Sequence, residues 1–432
     1  MKGLSELDFG TRDHLGTKNG HLTIAGADVV DLAQQHGTPL YVIDEGRIRS
    51  NYRRFAAAFP DADVYYAAKA NGHIAVLRML AQEGAGADVF SAGELYAARL
   101  AGIPPDRILF NGNSKTDAEL RMACDADVRV SVDSLDELRT LARIASKSNK
   151  EVEIAFRVNP DVSPVTHPKI ATGLAKSKFG IPHHQVLACY VEALSLEGVR
   201  PSGVHCHIGS QILELSPFAE MMTRMMDLVG ALKNELKLEL DFIDIGSGLG
   251  IPYTGSAPTP IDLANTVLPI FTERSSALDI RSKLVLEPGR YVVGDAAILL
   301  CAVNTVKAAH STFVGVDAGF NLLLRPTLYE SWHEVIVANK LGKKADNVYT
   351  IAGPICESGD ILARDRRLPQ VEKGDLIAIL DTGAYGFAMS SQYNGRPRAS
   401  EVLVNKGEAE IIRRRESYDD LLMGQSIPPH LL

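Results

Sequence analysis

The sequence predicts a (β/α)8 barrel of the TIM type, joined to a second, β-rich domain built as a sandwich or barrel. Three features of the 432 residues lead to this prediction. From about residue 46, apolar segments with strand and helix periodicity alternate. Eight strand segments fall within roughly 240 residues, which fits a closed barrel better than an open sheet. After Arg290, helical periodicity becomes scarce and short β-type segments alternate with turns.

The residues before the barrel are polar and rich in turns. They contain a predicted strand at 22–24, a short helix at 28–36 and a second strand at 38–43. An eight-unit barrel has no place for this N-terminal part. We therefore expect residues 1–40 to join the second domain, and the barrel to span residues 41–293.

The barrel prediction depends on eight candidate strands and the helical patterns between them. The predicted strands are 64–69, 87–90, 108–111, 129–132, 153–158, 203–207, 242–246 and 284–287. The predicted helices include 47–59, 73–83, 92–101, 134–146, 182–196 and 217–236. Strands that alternate with helices in this way form right-handed βαβ units and a parallel sheet.

The second domain is predicted over residues 1–40 and 294–432. Its β-type segments, which begin just before that boundary, are 291–293, 298–307, 312–317, 333–337, 375–379, 401–404 and 408–412. The tail from Ser417 to Leu432 is predicted to form a short helix followed by a Pro-containing end.

Composition limits the classes of function. A formal net charge of −8 and a pI near 5.9 give no reason to expect nucleic acid or a membrane surface as a partner. The five cysteines lack CxxC spacing, which argues against a zinc site and a disulfide framework. The sequence also lacks a signal-peptide pattern and an apolar run of about 18 residues. We therefore expect a cytoplasmic protein without a bound metal.

Polar and ionisable residues collect at the C-terminal ends of the predicted strands, where barrels of this type place their chemistry. These strand ends carry Lys69, Asp88, Asn111, Ser131, Asp133, Arg157, His207, Gly246–Gly248 and Glu287–Arg290. Burial lowers the pKa of a lysine, so that its amine can attack a carbonyl and form a Schiff base. We predict this role for Lys69. The alternative is a lysine that ends its strand and extends to water.

A glycine-rich turn at residues 244–250 follows the seventh strand. Backbone N–H groups of such a turn can bind a phosphate, although a plain tight turn is equally open. Ile251 stands where a Rossmann fingerprint requires glycine, and no P-loop pattern follows. Glu287 and Arg290 could form a simple ion pair, or they could bind a pyridine nitrogen and an anionic ligand.

Two histidines and three polar segments of the second domain complete the candidates. His205 and His207 share one strand face, which permits a metal site, but stacking of His207 on an aromatic cofactor fits the surroundings better. In the second domain, Arg325 and Tyr329 could clamp a carboxylate. The clusters at 356–360 and 381–386 place Cys356, Glu357 and Tyr385 in what could also be ordinary turns.

The segments together resemble a known family. The matching segments are YAAKAN at 66–71, FRVNP at 156–160, THP at 166–168, SKFG at 177–180, HIGSQ at 207–211, EPGR at 287–290 and CESGD at 356–360. They are similar to those of the pyridoxal-phosphate-dependent decarboxylases of the alanine racemase-like fold. The similarity extends over nearly the whole chain, from residues 37–42 to 401–404.

The resemblance implies pyridoxal 5′-phosphate as cofactor and assigns a role to each candidate residue. Lys69 would carry the cofactor as a Schiff base and His207 would stack on its ring. The residues expected to bind the cofactor are Lys69, His207, Ser210, Gly246, Gly248, Glu287, Gly289, Arg290 and Tyr385. Those expected to bind the substrate are Arg290, Arg325, Tyr329, Glu357 and Tyr385. Cys356 would reach the cofactor of a neighbouring chain, which implies a homodimer with shared active sites.

The expected reaction is decarboxylation of an amino acid. An acidic residue at position 287 would keep the pyridine nitrogen protonated, whereas the related racemases use arginine there. Arg325 and Glu357 together match a distal carboxylate and ammonium, so we expect meso-2,6-diaminopimelate to yield L-lysine and carbon dioxide. Either Cys356 or Lys69 could return the proton. The alternatives are a decarboxylase of another diamino acid or of carboxynorspermidine, an amino-acid racemase, and a non-catalytic pyridoxal-phosphate carrier.

Overall fold

The computed structural model describes residues 12–164, 166, 167, 172 and 177–432. Residues 1–11 of the predicted second domain and Pro168 of the THP segment lie outside the described residues. The chain divides into two compact units. The first, which we call the barrel unit, is Arg49–Val292. The second, the β unit, consists of the residues up to Ile48 together with Val293–Leu432.

The strands of the described residues are given in chain order. They are β1 Leu15–Lys18, β2 His21–Ile24, β3 Ala27–Asp28, β4 Leu40–Asp44, β5 Asp63–Ala67, β6 Gly86–Val89, β7 Ile108–Phe110, β8 Arg129–Val132, β9 Val152–Asn159, β10 Ile181–Pro182, β11 Val199–Cys206, β12 Phe242–Asp244, β13 Lys283–Leu286, β14 Ala297–Ala308, β15 Thr312–Val316, β16 Val335–Val337, β17 Asn347–Ala352, β18 Ile361–Leu368, β19 Leu376–Ile379, β20 Ser400–Asn405 and β21 Glu408–Arg413.

The helices follow the same order. They are α1 Val29–His36, α2 Glu45–Ala58, α3 Ile74–Gln82, α4 Ala92–Leu100, α5 Asp117–Asp125, α6 Leu135–Lys147, α7 Val186–Leu194, α8 Ser216–Leu236, α9 Pro260–Leu278, α10 Arg290–Val293, α11 Arg325–Tyr329 and α12 Tyr418–Leu422. Side-chain caps mark several starts: Ser91, Ser134 and Thr116 each accept a bond from a backbone N–H of the first helical turn. Over the described ranges, no helix is both long and apolar enough to cross a membrane.

The barrel unit is a closed ring of eight parallel strands. Their order is β5-β6-β7-β8-β9-β11-β12-β13, and β13 pairs back with β5. Tyr65, Leu109, Ala155, Phe242 and Val285 pack together as one buried cluster contributed by five of these strands. The prediction of a (β/α)8 barrel is confirmed, and each of its eight predicted strands corresponds to an observed one.

The β unit is organised around the long strand β14. This strand pairs antiparallel with β4, β15 and β19, and β4 pairs in parallel with β20. Alternate residues of β14 enter different cores: Leu299 and Cys301 belong to one buried cluster, and Ile298 and Leu300 to another. Apolar side chains therefore cover both faces of the sheet. The predicted β-rich second domain is confirmed.

Three details of the predicted organisation differ from the structure. Strand β4 belongs to the β unit, because its partners are β14 and β20, so that unit extends to Ile48 rather than to residue 40. Residues 291–293 were expected as a strand but form part of the helix α10. Strands β1, β3, β10, β17 and β18 are not among the predicted strands. Arg364, Asp365 and Arg367 of β18 face solvent, so this strand lacks the apolar pattern of a buried one.

Candidate active site

Lys69 lies at the C-terminal end of β5, in the short 3-10 turn Ala68–Ala70. Its Nζ forms an ion pair with Asp88 of β6 and lies 4.4 Å from the centroid of the Phe90 ring. The side chain is 28% exposed. The strand was predicted to extend to Lys69, but it ends at Ala67. The Lys69 amine therefore lies between a carboxylate and an aromatic ring, just beyond the end of the strand.

A hydrogen-bonded network connects Asp88 of β6 to Glu287, which directly follows β13. The Nδ2 of Asn111, just after β7, donates to Asp88 Oδ1 at 2.7 Å and to Glu287 Oε1 at 2.7 Å. All three side chains are buried. Burial raises the pKa of Asp88, and the negative charge of Glu287 raises it further. Lys69 and Glu287 are thus linked through two intervening side chains.

His205 and Asp244 determine the charge of Glu287. His205 Nε2 lies 3.4 Å from Glu287 Oε2, and its Nδ1 lies 2.9 Å from Ser131 Oγ. Burial alone would raise the pKa of Glu287, but His205 and Lys69 outweigh burial and hold that pKa below its usual range. Burial and the charge of Glu287 raise the pKa of Asp244 well above its usual range. Between Glu287 and Asp244, the negative charge is therefore favoured on Glu287 and the protonated form on Asp244.

The sequence raised the possibility of a metal site at His205 and His207. In the described residues, the grouping of possible ligand atoms within 4.8 Å of one another is instead His205, Asp244 and Glu287. Because this group also contains the carboxylate predicted to bind a pyridine nitrogen, it is part of the same candidate site.

His207 follows β11 directly and packs against the glycine turn after β12. Gly246 has φ +62°, and a Cβ there would lie 2.5 Å from His207 Nδ1. Gly248 has φ +97°, and a Cβ there would overlap the carbonyl oxygen of Gly209. Burial, with smaller effects from the charges of Lys69 and Arg157, lowers the pKa of His207 well below its usual range. His207 is therefore a neutral, flat ring at neutral pH.

A group of polar contacts around Arg290, a candidate anion site, includes the loop of Ser210. The Arg290 Nε and Nη2 donate to Ser210 Oγ at 3.3 and 3.0 Å, and its Nη1 donates to the Tyr253 hydroxyl at 2.8 Å. The backbone N–H of Ile212 donates to the carbonyl of Gly248 at 3.0 Å, which joins the Ser210 loop to the glycine turn. Gly289 lies where a Cβ would be 3.1 Å from the side chains of Ala67 and Ala70. A guanidinium, a hydroxyl and glycine backbone thus converge on one region.

These residues fit a planar aromatic ring that carries a phosphate and a basic ring nitrogen. The buried Nδ1 of His207 has no hydrogen-bond partner among the described residues, as expected for an imidazole that offers its face. The glycines leave the backbone accessible to a phosphate, and Glu287 supplies an anion for a protonated nitrogen. Pyridoxal 5′-phosphate has all of these features.

In the β unit, Arg325 begins α11 and Tyr329 lies one turn further on the same face. Arg325 is buried, and its Nη1 donates to His333 Nε2 at 2.7 Å. His333 Nδ1 in turn donates to the carbonyl of Leu380 at 2.8 Å, which fixes the tautomer that accepts from Arg325. This arrangement holds a guanidinium in a fixed position, as a carboxylate clamp requires.

Two loops carry the other predicted residues of the β unit. Cys356 and Glu357 are exposed on the loop between β17 and β18. Tyr385 has φ +56° and lies between Gly383 and Gly386, and a Cβ on Gly383 would overlap the carbonyl of Val293. The structure therefore gathers the predicted barrel residues around one set of strand ends, and it carries those of the β unit on α11 and two loops.

Sequence reasoning found the strand-end residues but gave no role to several that the structure connects. Asp88, Asn111 and Ser131 were noted only by position, and His205 only as a possible metal ligand. Tyr253, which binds Arg290, was not noted at all. The signal for the first three was their place at the C-terminal ends of barrel strands. Their partners could not be read from the sequence, because these depend on side-chain directions in the closed ring.

The chain is similar to known proteins over nearly its full length. The family model of the pyridoxal-dependent decarboxylases, pyridoxal binding domain, matches residues 45–294. The diaminopimelate decarboxylase of Archaeoglobus fulgidus is 54% identical over 96% of this chain and 99% of that protein. A crystal structure of the diaminopimelate decarboxylase of M. jannaschii in complex with L-lysine has a TM-score of 0.93 and 42% identity, covering 98% of this chain and 99% of that one.

A more distant solved structure belongs to a different substrate class. The lysine/ornithine decarboxylase of Vibrio vulnificus, complexed with putrescine, has a TM-score of 0.76 and 25% identity. The match covers 88% of this chain and 97% of that one. The same fold is therefore associated with both kinds of decarboxylase.

Proposed function

Because the chain belongs to the family of pyridoxal-dependent decarboxylases, we propose that it converts meso-2,6-diaminopimelate into L-lysine and carbon dioxide, the last step of lysine biosynthesis. The observation that carries the reaction class is the buried carboxylate of Glu287, which accepts from Asn111 Nδ2 and lies 3.4 Å from His205 Nε2. His205 and Lys69 hold its pKa below the usual range. The diaminopimelate decarboxylases among the relatives support the substrate. We also propose a cytoplasmic location, where the five cysteines, all unpaired, remain thiols.

The cofactor would be held largely by barrel residues. We assign Lys69 to its carbonyl carbon, His207 to one ring face, Glu287 to the ring nitrogen, and Ser210, Gly246, Gly248, Gly289, Arg290 and Tyr385 to the phosphate region. When bound, pyridoxal phosphate supplies an electron sink for the pair of electrons that carbon dioxide leaves behind. Glu287 maintains that sink by holding a proton at the ring nitrogen.

The remaining residues bind and orient the substrate and move protons. Asp88 holds the amine of Lys69 close to the strand ends. Arg290, Arg325, Tyr329 and Tyr385 would hold the distal end of the substrate by its carboxylate, and Glu357 would bind the distal ammonium. Fixing that end sets the α-carboxylate in one orientation, so that a single bond is aligned for cleavage. Cys356 would then return a proton to the α-carbon.

Charge matching favours diaminopimelate over a simple diamino acid. The guanidinium of Arg325 is buried, and its Nη1 donates to His333 Nε2. Lysine or ornithine would place a second positive charge beside it, which costs several kcal/mol in a buried site. A distal centre with both a carboxylate and an ammonium matches Arg325 and Glu357 together.

We further propose that the protein is a homodimer in which Cys356 and Glu357 complete the active site of the partner. Both residues are exposed in the isolated chain, although they belong to the proposed machinery. Coverage by a second copy would remove them from water, as catalysis in a closed site requires.

The proposal is tested by incubating the purified chain with pyridoxal phosphate and meso-diaminopimelate. We expect lysine and carbon dioxide in equal amounts, with a visible absorbance band that changes when substrate is added. A Lys69→Ala variant serves as control and should show neither activity nor that band. Gas release from lysine or ornithine but not from diaminopimelate would contradict the substrate assignment. Exchange of the α-proton without gas release would indicate a racemase.

A further inference from the structure

Residues 355–360, which we call the Cys356 loop, are held in place by the buried carboxylate of Asp360. Asp360 Oδ2 accepts from the backbone N–H of Ile355 at 2.7 Å, and its Oδ1 accepts from that of Phe320 at 2.6 Å. Between Ile355 and Asp360, the loop exposes Cys356. The chain's other four cysteines are buried, so Cys356 is its exposed thiol.

Asn394 binds Cys356 twice. Its Oδ1 accepts from the backbone N–H of Cys356 at 2.9 Å, and its Nδ2 donates to the Cys356 sulfur at 3.1 Å. Asn394 has φ +57°, a left-handed conformation that asparagine tolerates better than most residues. This backbone geometry directs a short amide at both the main chain and the thiol of one residue.

The residue before Asn394 binds the neighbour of Cys356. The Tyr393 hydroxyl donates to Glu357 Oε1 at 2.9 Å and lies 3.9 Å from the Cys356 sulfur. The Tyr393 ring stacks on Phe320 with centroids 5.9 Å apart. Phe320 is itself one of the two backbone donors to Asp360. Tyr393 and Asn394 therefore form one support for the adjacent residues Cys356 and Glu357.

We propose that Asn394 is a positioning residue for the Cys356 thiol, with its amide N–H directed at the sulfur so that a thiolate formed there is stabilised. The proposal rests on the proposed function, in which Cys356 gives its S–H proton to the α-carbon after carbon dioxide leaves. The carbanion electron pair forms the new C–H bond and the S–H pair stays on sulfur. Water then returns a proton to the thiolate, so nothing is oxidised or reduced.

The charges around the loop explain why such a donor is needed. Glu357 and Asp360 are the charged groups of residues 355–360, so this loop itself supplies no cation to a thiolate at Cys356. Arg396 lies two residues after Asn394, and its Nη2 donates to the Pro354 carbonyl at 3.5 Å. The Tyr393 hydroxyl is directed at Glu357. The Nδ2 of Asn394 is thus the N–H donor that reaches the sulfur among the contacts of the described residues.

Two substitutions separate positioning of the thiol from support of the loop. Asn394→Asp keeps an oxygen that accepts from the Cys356 N–H but removes the donor to sulfur. Asn394→Gly keeps the left-handed backbone and removes both contacts. Ser358→Ala, at an exposed position of the same loop, is the matched control. The readout is the rate of alkylation of the holoenzyme by iodoacetamide near neutral pH, with Cys356→Ser defining the background from the buried thiols.

Because the thiolate is the nucleophile, we expect both Asn394 variants to be alkylated more slowly than wild type, by about threefold to tenfold. Ser358→Ala should match wild type. In turnover of diaminopimelate, Asn394→Asp should lower kcat by a similar factor and leave KM nearly unchanged. Alkylation of Asn394→Asp at the wild-type rate would overturn the proposal, and so would a wild-type rate no higher than the Cys356→Ser background. Because alkylation does not require turnover, wild-type protein that shows the expected pattern but decarboxylates nothing would refute the proposed function alone.

Discussion

At the scale of the single residue, the charge of Glu287 follows from its neighbours rather than from its own burial. Asn111 donates to one of its oxygens and His205 lies beside the other. The pKa of the neighbouring Asp244 is raised by burial and by the charge of Glu287, so a proton shared by the two groups favours Asp244. A Glu287→Gln substitution preserves size and an acceptor for Asn111 but removes the negative charge. We expect kcat for decarboxylation to fall by about 100-fold or more, since a neutral ring nitrogen accepts electrons poorly.

Steady-state kinetics and the thermal unfolding midpoint check this prediction together. The unfolding midpoint should change little, because the carboxamide fits the same buried space. A Glu287→Gln enzyme within about threefold of wild-type kcat would contradict the role given to the carboxylate.

Gly246 tests the placement of His207. A Cβ at Gly246 would meet His207 Nδ1 at 2.5 Å, so Gly246→Ala should displace the imidazole and weaken cofactor binding. The left-handed φ adds a cost of about 1 to 2 kcal/mol for any residue with a Cβ. Gly255→Ala is a matched control, because Gly255 has φ +65° with no atom within 4 Å of the built Cβ.

Both glycine variants should therefore lose similar unfolding free energy from the backbone term, and Gly246→Ala alone should bind pyridoxal phosphate less tightly. Absorbance titration of the apoenzyme with pyridoxal phosphate measures this difference. Equal affinity of the two variants would show that His207 does not depend on the glycine.

At the scale of the element, the sequence predicted those strands and helices whose positions follow from the periodicity of apolar residues. The eight barrel strands are mostly buried apolar segments, so their positions were recognisable from the sequence. Strand β18 was missed because charged residues cover one face, and α10 was misread because tyrosine and valine are strong β-formers. Residues 290–293 form a helical turn rather than a strand, because this turn buries Val292 and Val293.

The same distinction applies to the site. Residue types at strand ends were enough to identify Lys69, His207 and Glu287 as candidates, because in a barrel those ends share one face. The bond from Asn111 to both Asp88 and Glu287 could not be predicted, since it joins residues 176 positions apart in sequence through ring closure. Nor could the amide of Asn394 be matched to Cys356, 38 positions away on another loop.

Strand β20 provides a prediction about pH. Glu401 is buried in this strand, and desolvation raises its pKa to about 7 despite a bond from Arg413 Nε at 2.7 Å. A carboxyl group with a raised folded-state pKa contributes stability below its unfolded value of 4.5, and that contribution is lost as pH rises through about 7. The contribution of this group to wild-type stability should therefore fall by about 3 kcal/mol between pH 4.5 and about 7.

Glu401→Gln cannot titrate, so it should remove this part of the pH dependence and make the protein relatively more stable at alkaline pH. Glu410→Gln, at an exposed position of the neighbouring β21, is the control. Urea unfolding midpoints measured across this pH range compare the three proteins. A Glu401→Gln profile parallel to that of wild type would contradict a buried, protonated Glu401.

At the scale of the whole molecule, the distribution of the proposed machinery makes the dimer testable without a structure of it. Lys69 and Glu287 belong to the barrel unit, whereas Cys356 belongs to the β unit. If the partner supplies Cys356, a heterodimer of Lys69→Ala and Cys356→Ala has one site with both substitutions and one with neither. Dissociating and re-associating the two weakly active variants at equal concentration should then restore about one quarter of wild-type activity.

The control mixture combines Lys69→Ala with Glu287→Gln. Because both residues come from the same barrel unit, every site in that heterodimer is defective whether or not sites are shared, and no activity should return. Recovery in the first mixture alone, together with a molar mass of two chains by light scattering, would fit a site completed across the interface. Absence of recovery in a mixture that has formed heterodimers would mean that each chain supplies its own Cys356. The exposed loop held by Tyr393 and Asn394 would then require another explanation for its outward position.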